Sequence, residues 1–401
     1  MSLFIYFADN RLMCCGNNRY GQLGLDINNF DVLKPTLLMA DKDILDIATS
    51  RSCSAILTRS GEVYVFGANS NGHLGCSNAL KKYISLPKLL MIDPKIKLVS
   101  CNENDVMLYR TDGKLLSFGR DNNGFINSER SENKTKPIIF MANTKIIDIV
   151  CDVYRTIIFK ENGELIVLGG NSKIVKNITD RTILKLDNVK KFSSVYECLL
   201  VLKNNGDLIF FEECDHYNNS KYFRQLKGNH NSGYEQTLIL TDPKISQISC
   251  GSANIMIYKN NGELYIADHR QLPDNIELEL SMKDTGIKKI LHGIYYAAIY
   301  KYNGELYTFG ENEYGQLGFG DRLPRNKPTL LMTDENILMI NNVRVGYKWS
   351  TAEYADYPKD LQKIIFTLMC IFSRYRKQHN IYMVPYMRSE IFSRLVKSFP
   401  V

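Results

Sequence analysis

Apolar residues along the first 340 positions come in short alternating runs separated by polar turns, and helical spacing is almost absent before residue 357. One pattern recurs: a turn, a charged residue, then apolar, any residue, apolar, aromatic, Gly. It reads SGEVYVFG at 60–67, DGKLLSFG at 112–119, NGELIVLG at 162–169, NGDLIFFE at 205–212, NGELYIAD at 261–268 and NGELYTFG at 303–310. A seventh copy, DNRLMCCG at 9–16, carries Asn10 where the others carry glycine. The turns at 10, 61, 113, 163, 206, 262 and 304 are spaced by 51, 52, 50, 43, 56 and 42 residues.

Each unit predicts a β-hairpin. Asn-Gly and Asp-Gly favour a two-residue type I′ turn with both central residues at positive φ, a conformation Asn10 also tolerates. An apolar strand precedes each turn, as in Ala297 to Tyr302, and an Ile/Val-rich run such as Ile146 to Val150 lies further upstream. Seven such units of about fifty residues predict an all-β, seven-bladed β-propeller, whose radial layout protects sheet edges. The last unit runs through Pro328 to a strand at Ile337 to Ile340, with no further hairpin. Leu3 to Phe7 stands where a strand precedes every other turn, so the N-terminal strand is expected to close the seventh blade, paired into residues 304–345.

The stretch after the second hairpin strand narrows the family. It reads GNNRYGQLG at 16–24, GANSNGHLG at 67–75 and GENEYGQLG at 310–318, followed by Lys34-Pro35, Leu86-Pro87 and Lys327-Pro328. This signature resembles the regulator of chromosome condensation repeat family, over about residues 1–345. The glycines would allow a tight excursion and the leucine would pack inward. WD repeats are excluded by the single tryptophan, which lies outside the repeats. The resemblance is uneven: GRDNNGFIN at 119–127 keeps half the loop signature, and units four to six keep almost none. Where the family usually has a histidine, eight residues before the turn glycine, this chain has Cys53, Asp105, Arg155, Cys198, Asn254 and Tyr296. The family's founding member promotes nucleotide exchange on a small GTPase and docks on nucleosomes. Exchange depends there on a wedge from one blade, for which this chain offers only the short polar segment Ser128 to Lys136.

Charge weakens the nucleic-acid reading. Of the net charge of +7, residues 349–401 supply +4, leaving 42 basic against 39 acidic side chains on the first 348 residues. The first residues do not read as a signal peptide, so none is expected, and Ile364 to Phe372 is too short to span a bilayer. The ten cysteines therefore read as reduced thiols of an intracellular protein, cytoplasmic or nuclear. Cys101, Cys151 and Cys250 each lie twelve residues before a turn glycine, which reads as one small buried repeat position rather than a metal site. No catalytic or nucleotide-binding motif occurs, so the expectation is a binding protein with no enzyme activity, cofactor or metal.

Two segments are candidates for partner binding. The irregular stretch 212–242 carries His216, Tyr217, Tyr222, Phe223, Arg224, His230 and Tyr234, the residue types of interaction hot spots, or else decoration on a worn blade. After Trp349 the pattern turns helical: Leu361, Ile364, Ile365, Leu368, Met369 and Phe372 mark one amphipathic face, and Met387, Ile391 and Leu395 a second short helix after Pro385. The expected organisation is a propeller over 1–348 and a short C-terminal α-helical tail over 349–401. The tail either caps the propeller or recruits a partner. It resembles, loosely, the tails of ubiquitin-ligase adaptors and of repeat proteins from giant DNA viruses, which would imply a host-cell or virion location. The leading reading is a protein–protein interaction scaffold. A guanine-nucleotide exchange factor for a small GTPase, a ubiquitin-ligase substrate adaptor and a chromatin-docking module are the alternatives.

Overall fold

The computed structural model describes residues 2–26, 30–69, 72, 74–75, 82–102, 105–119, 134–142, 145–151, 155–169, 182–195, 198–213, 234–252, 254–268, 278–341 and 343–344. These residues are all-β and form seven antiparallel sheets, the blades of a propeller. Blades 1 to 6 are four-stranded meanders over 44–92, 96–141, 146–186, 189–241, 245–283 and 287–333. The first strand of each lies innermost: Ile44–Thr49, Ile96–Cys101, Ile146–Cys151, Val189–Val195, Ile245–Cys250 and Ile287–His292. These strands approach one another around the axis, whereas the fourth strands lie at the rim.

The closing blade draws on two segments far apart in the chain. Ser2–Phe7, Leu12–Asn17 and Asp31–Met39 supply three strands, and Ile337–Ile340 pairs with the first of them through Ile5↔Ile340 and Tyr6↔Met339. A two-residue strand, Val343–Arg344, extends the sheet beyond that. The expected closure is therefore present, with one correction. Glu305–Gly310 and Arg325–Thr333 belong to blade 6, so only the chain from Ile337 onward meets the N-terminal strand.

The hairpin turns also differ from the expected type I′. Only the glycine adopts positive φ, +84° at Gly61 and +79° at Gly113, with Asn10 taking the same role at +69°. Gly113 N–H bonds to Arg110 carbonyl at 3.0 Å and Arg110 N–H to Lys114 carbonyl at 2.9 Å, which closes a three-residue loop. A side chain at Gly61 would meet the Asp93 backbone, its Cβ 2.4 Å from the carbonyl oxygen. The preceding Asn or Asp serves otherwise than expected. Its side-chain oxygen accepts the N–H two residues on, as Asn303 does from Glu305 at 3.2 Å and Asn205 from Asp207 at 3.1 Å.

Hydrophobic cores sit between blades rather than at one centre. Leu200, Leu202 and Phe210 of blade 4 pack on Ile248, Ile255 and Ile257 of blade 5, and the same arrangement repeats around the ring. Burying each isoleucine or leucine contributes about 1.5–3 kcal/mol, so each blade is stabilised chiefly by its neighbours. Cys101, Cys151 and Cys250 end the inner strands of blades 2, 3 and 5 and are buried, as the small repeat position requires. Among the described residues no helix is long and apolar enough to cross a membrane. Residues 349–401, the segment 214–233 and Ser128 lie outside the described residues.

Candidate functional site

The two faces of the propeller have different chemistry. One carries the hairpin turns. The other carries the loops joining third to fourth strands, where the glycine-rich signature lies. Three adjacent blades retain that signature: blade 6, the closing blade and blade 1.

Most of the signature is scaffold. Asn18, Asn69 and Asn312 accept the N–H groups of Leu23, Leu74 and Leu317 at 2.9, 3.1 and 2.9 Å, and all three leucines are fully buried. Gln22 and Gln316 accept the N–H two residues upstream, from Tyr20 at 2.9 Å and Tyr314 at 3.0 Å. Gly21, at φ +77°, lies against the Ser85 backbone of blade 1, and Gly315 lies likewise against Leu33 of the closing blade. Each loop thus leans on the outer strand of the next blade, and a Cβ at either glycine would force them apart.

The residues between these fixed points face outward. Tyr20 and Tyr83 meet across the closing blade and blade 1 with ring centroids 5.9 Å apart and ring planes tilted by 35°. The Arg19 guanidinium lies 5.2 Å from the ring centre of Tyr314 in blade 6. Arg322 of blade 6 reaches Asp31 of the closing blade at 2.8 Å and donates to the Glu313 carbonyl at 2.6 Å. Tyr20, Phe30 and Leu323 are 42%, 63% and 64% exposed. Arg325 holds Asp321 at 2.8 Å and its carboxyl below the usual range, and also covers Phe319. The result is an aromatic and arginine surface spanning three blades, its side chains cross-braced yet open to solvent.

The residues singled out from sequence fare differently. His216, Tyr217, Tyr222, Arg224 and His230 lie outside the described residues, as do Met387, Ile391 and Leu395. Tyr234 opens the strand Tyr234–Thr241 and pairs with Glu213, which places both ends of the 214–233 connection on the signature-loop face. Tyr296, at the position of the family histidine, is buried and bonds to Ser2 and Asn341. Arg19, Tyr20, Tyr314 and Arg322 were not singled out. Their signal was available, since they fill the variable positions inside or just after an otherwise fixed loop. Among the described residues no group of three or more His, Cys, Asp or Glu side chains is arranged to hold a metal.

Comparison with known proteins agrees with this geometry. Residues 9–57, 60–107 and 303–352 match the family described as Regulator of chromosome condensation (RCC1) repeat, and these segments include the three signature loops. The human protein Regulator of chromosome condensation is 26% identical over 161 residues, 39% of this chain and 38% of that protein. Probable E3 ubiquitin-protein ligase HERC4 from Homo sapiens is 28% identical over 174 residues, 41% of this chain and 16% of the ligase. The match therefore spans well under two thirds of either relative. Among solved structures, Prp20p from Saccharomyces cerevisiae, described with its binding properties to Gsp1p and histones, superposes with a TM-score of 0.64. It is 16% identical and covers 82% of this chain and 88% of that one, a likeness of fold.

Proposed function

Since this chain is a seven-bladed propeller carrying regulator-of-chromosome-condensation repeats, we propose that it is a protein–protein interaction scaffold without catalytic activity, engaging its partner through the signature-loop face. The observation that carries this reading is the surface formed by Arg19, Tyr20, Tyr83, Tyr314 and Arg322 over three contiguous blades. Tyrosine and arginine dominate binding hot spots because they bring large contact area and directional donors at low entropic cost. The scaffold beneath is already braced, so docking would order few additional groups. His216, Tyr217, Tyr222, Arg224 and His230 are proposed as further contacts, on the ground that the flanking pair Glu213↔Tyr234 stands at the signature-loop face.

The partner classes suggested by the relatives are a small GTPase, histones and ubiquitin-ligase components, and one experiment separates them. Wild-type protein and the double variant Arg19→Ala/Tyr20→Ala are each used as bait, with bound proteins identified by mass spectrometry. A partner held by the wild type and lost from the variant, at unchanged melting temperature, is the expected result. Identical bound sets would overturn the loop-face assignment. Saturable acceleration of labelled-GDP release from a GTPase by the purified chain would replace the scaffold reading with nucleotide exchange. The tail, residues 349–401, is proposed as a second contact through Met387, Ile391 and Leu395.

A further inference from the structure

Every inner strand carries a β-bulge at the same place. The register slips between Ile44 and Asp46, Ile96 and Leu98, Ile146 and Asp148, Val189 and Lys191, Ile245 and Gln247, and Ile287 and Lys289. The closing blade slips likewise, where Phe7 and Tyr6 face Ile337 and Met339. In blades 1 to 6 the bulge leaves the second and third residues of the strand exposed or half-buried, between a buried first residue and a mostly buried fourth. Each inner strand begins beside the hairpin turn of its own blade, so these pairs encircle the axis on the hairpin-turn face, where the central channel of a propeller opens.

Their charges are unevenly placed. Blades 1 to 3 present Asp46, Lys97 and Asp148. Blades 4 and 6 present Lys190, Lys191, Lys288 and Lys289, with uncharged Ser246 and Gln247 between them in blade 5. Among the described residues no carboxylate pairs with any of these four lysines. Lys191 donates to the Ser246 carbonyl, Lys190 reaches the Ile245 carbonyl at 3.5 Å, and Lys288 lies 5.4 Å from the Tyr300 ring centre. Burial holds the ammonium groups of Lys191, Lys288 and Lys289 below their usual range, and Lys289 adds to this at the other two. Four cations with no carboxylate partner among the described residues cost stability that a bound polyanion would return.

We propose that the turn-face mouth of the channel, at Lys190, Lys191, Lys288 and Lys289, is a binding site for a compact ligand bearing clustered phosphate groups. Lysine supplies freely rotating point-charge donors suited to phosphate oxygens. Compactness follows from the opposite arc, where Asp46 and Asp148 would repel an extended polyanion laid across the mouth. The site lies on the face opposite the proposed partner surface and is independent of it.

The test uses tripolyphosphate as the probe, titrated calorimetrically into the full chain at low salt. Saturable binding with a rise in melting temperature is expected, weakening as salt screens the charges. The variant Lys191→Gln/Lys289→Gln should lose affinity by about tenfold or more. Gln is the fitting replacement at 191, because Gln247 at the same position in blade 5 already donates to the next bulge carbonyl, that of Lys288, at 3.0 Å. The ligand-free variant should melt no lower than wild type, since two repelling charges are gone. Lys289→Gln alone removes no hydrogen bond among the described residues and should give a smaller loss of affinity. Vesicles bearing a polyphosphoinositide separate the sources: lysine-dependent co-sedimentation assigns the phosphates to a lipid headgroup, and binding of the free anion alone to a soluble ligand. No binding by wild type, equal affinity in the double variant, or tighter binding of an acidic peptide than of tripolyphosphate would overturn the proposal.

Discussion

The Asn341 side-chain amide donates to the Tyr296 hydroxyl at 2.8 Å, in a buried site where the first and last strands of the propeller meet. The Asn341 oxygen accepts the Phe4 N–H at 2.9 Å, and the Tyr296 hydroxyl donates to the Ser2 carbonyl at 2.8 Å. One asparagine thus joins blade 6, the C-terminal strand and the N-terminal strand. Asn341→Ala should destabilise by about 2–4 kcal/mol, because it strands the buried Phe4 N–H, takes one of the Tyr296 hydroxyl's two hydrogen bonds and places alanine at positive φ. Tyr296→Phe should cost about 1–2 kcal/mol. Denaturant titration of both variants measures the difference, and equal costs would remove Asn341 from its central place.

Removing residues 1–8 takes away the strand that pairs with both Leu12–Asn17 and Ile337–Ile340. It also removes Leu3, Phe4, Ile5, Tyr6 and Phe7, all buried. The truncated chain should aggregate or lose most of its stability, as seen by size-exclusion chromatography and thermal melting. A truncation as soluble and stable as the full chain would show that the closing blade does not depend on this strand.

The signature loops are scaffold, and their fixed residues should behave so. Asn312 accepts from Leu317 and donates to the Asp321 carbonyl at 2.9 Å. Asn312→Ala should lower stability by about 1–3 kcal/mol. By contrast, Tyr20→Ala, at an exposed position, should change stability by less than about 1 kcal/mol. Comparable losses from both would place the exposed tyrosine in the scaffold.

Alkaline pH should destabilise the fold. Burial pushes the Cys15 thiol from 9.0 up to about 12 and holds the Tyr296 and Tyr300 hydroxyls above the ordinary phenol range. Burial opposes Lys301, but its hydrogen bonds to Asp284 and Glu305 outweigh that and raise it above 10.5. In each case the folded chain holds its proton more tightly than the unfolded chain. Stability is therefore full below about pH 9 and falls progressively up to about 12. The denaturation midpoint followed from neutral to about pH 11 should drop throughout the upper part of that range, and a flat profile would contradict it. Cys15 should accordingly resist alkylation at neutral pH until the protein unfolds.

The architecture was legible because it rests on local chemistry repeated seven times. Each turn glycine, each flanking apolar run and the buried Leu23, Leu74 and Leu317 can be read without any long-range contact. The turn type was misread because Asn before Gly suits two loops equally well, and the strand bulge that selects the three-residue form depends on pairing. The bulges were invisible for the same reason: Lys190-Lys191 looks like an ordinary charged pair until the register with Lys203 and Leu202 is known. The exposed surface was missed because its members are contributed by three blades whose order in space closes across the chain ends. Tyr6, Tyr109, Tyr258 and Tyr300 each stand four residues before a turn, a regularity whose purpose only the structure supplies. Their hydroxyls bond to the backbone of the segment leading to the next blade, as Tyr258 does to Asp284 at 3.0 Å and Tyr109 to Ile146 at 3.1 Å.

Closure by Asn341 also sets the order of events during synthesis. Its bond to Phe4 spans 337 residues, so the N-terminal strand leaves the ribosome long before its partner exists. At translation rates of about 5–20 residues per second, the wait is roughly 15 to 70 s. Contacts within one blade and between neighbours can form as each hairpin emerges, but the ring cannot lock until the final strand arrives. The slow phase of folding should therefore track the emergence of Ile337–Ile340 and Asn341, and the nascent propeller is a natural client for chaperones that shield open strand edges.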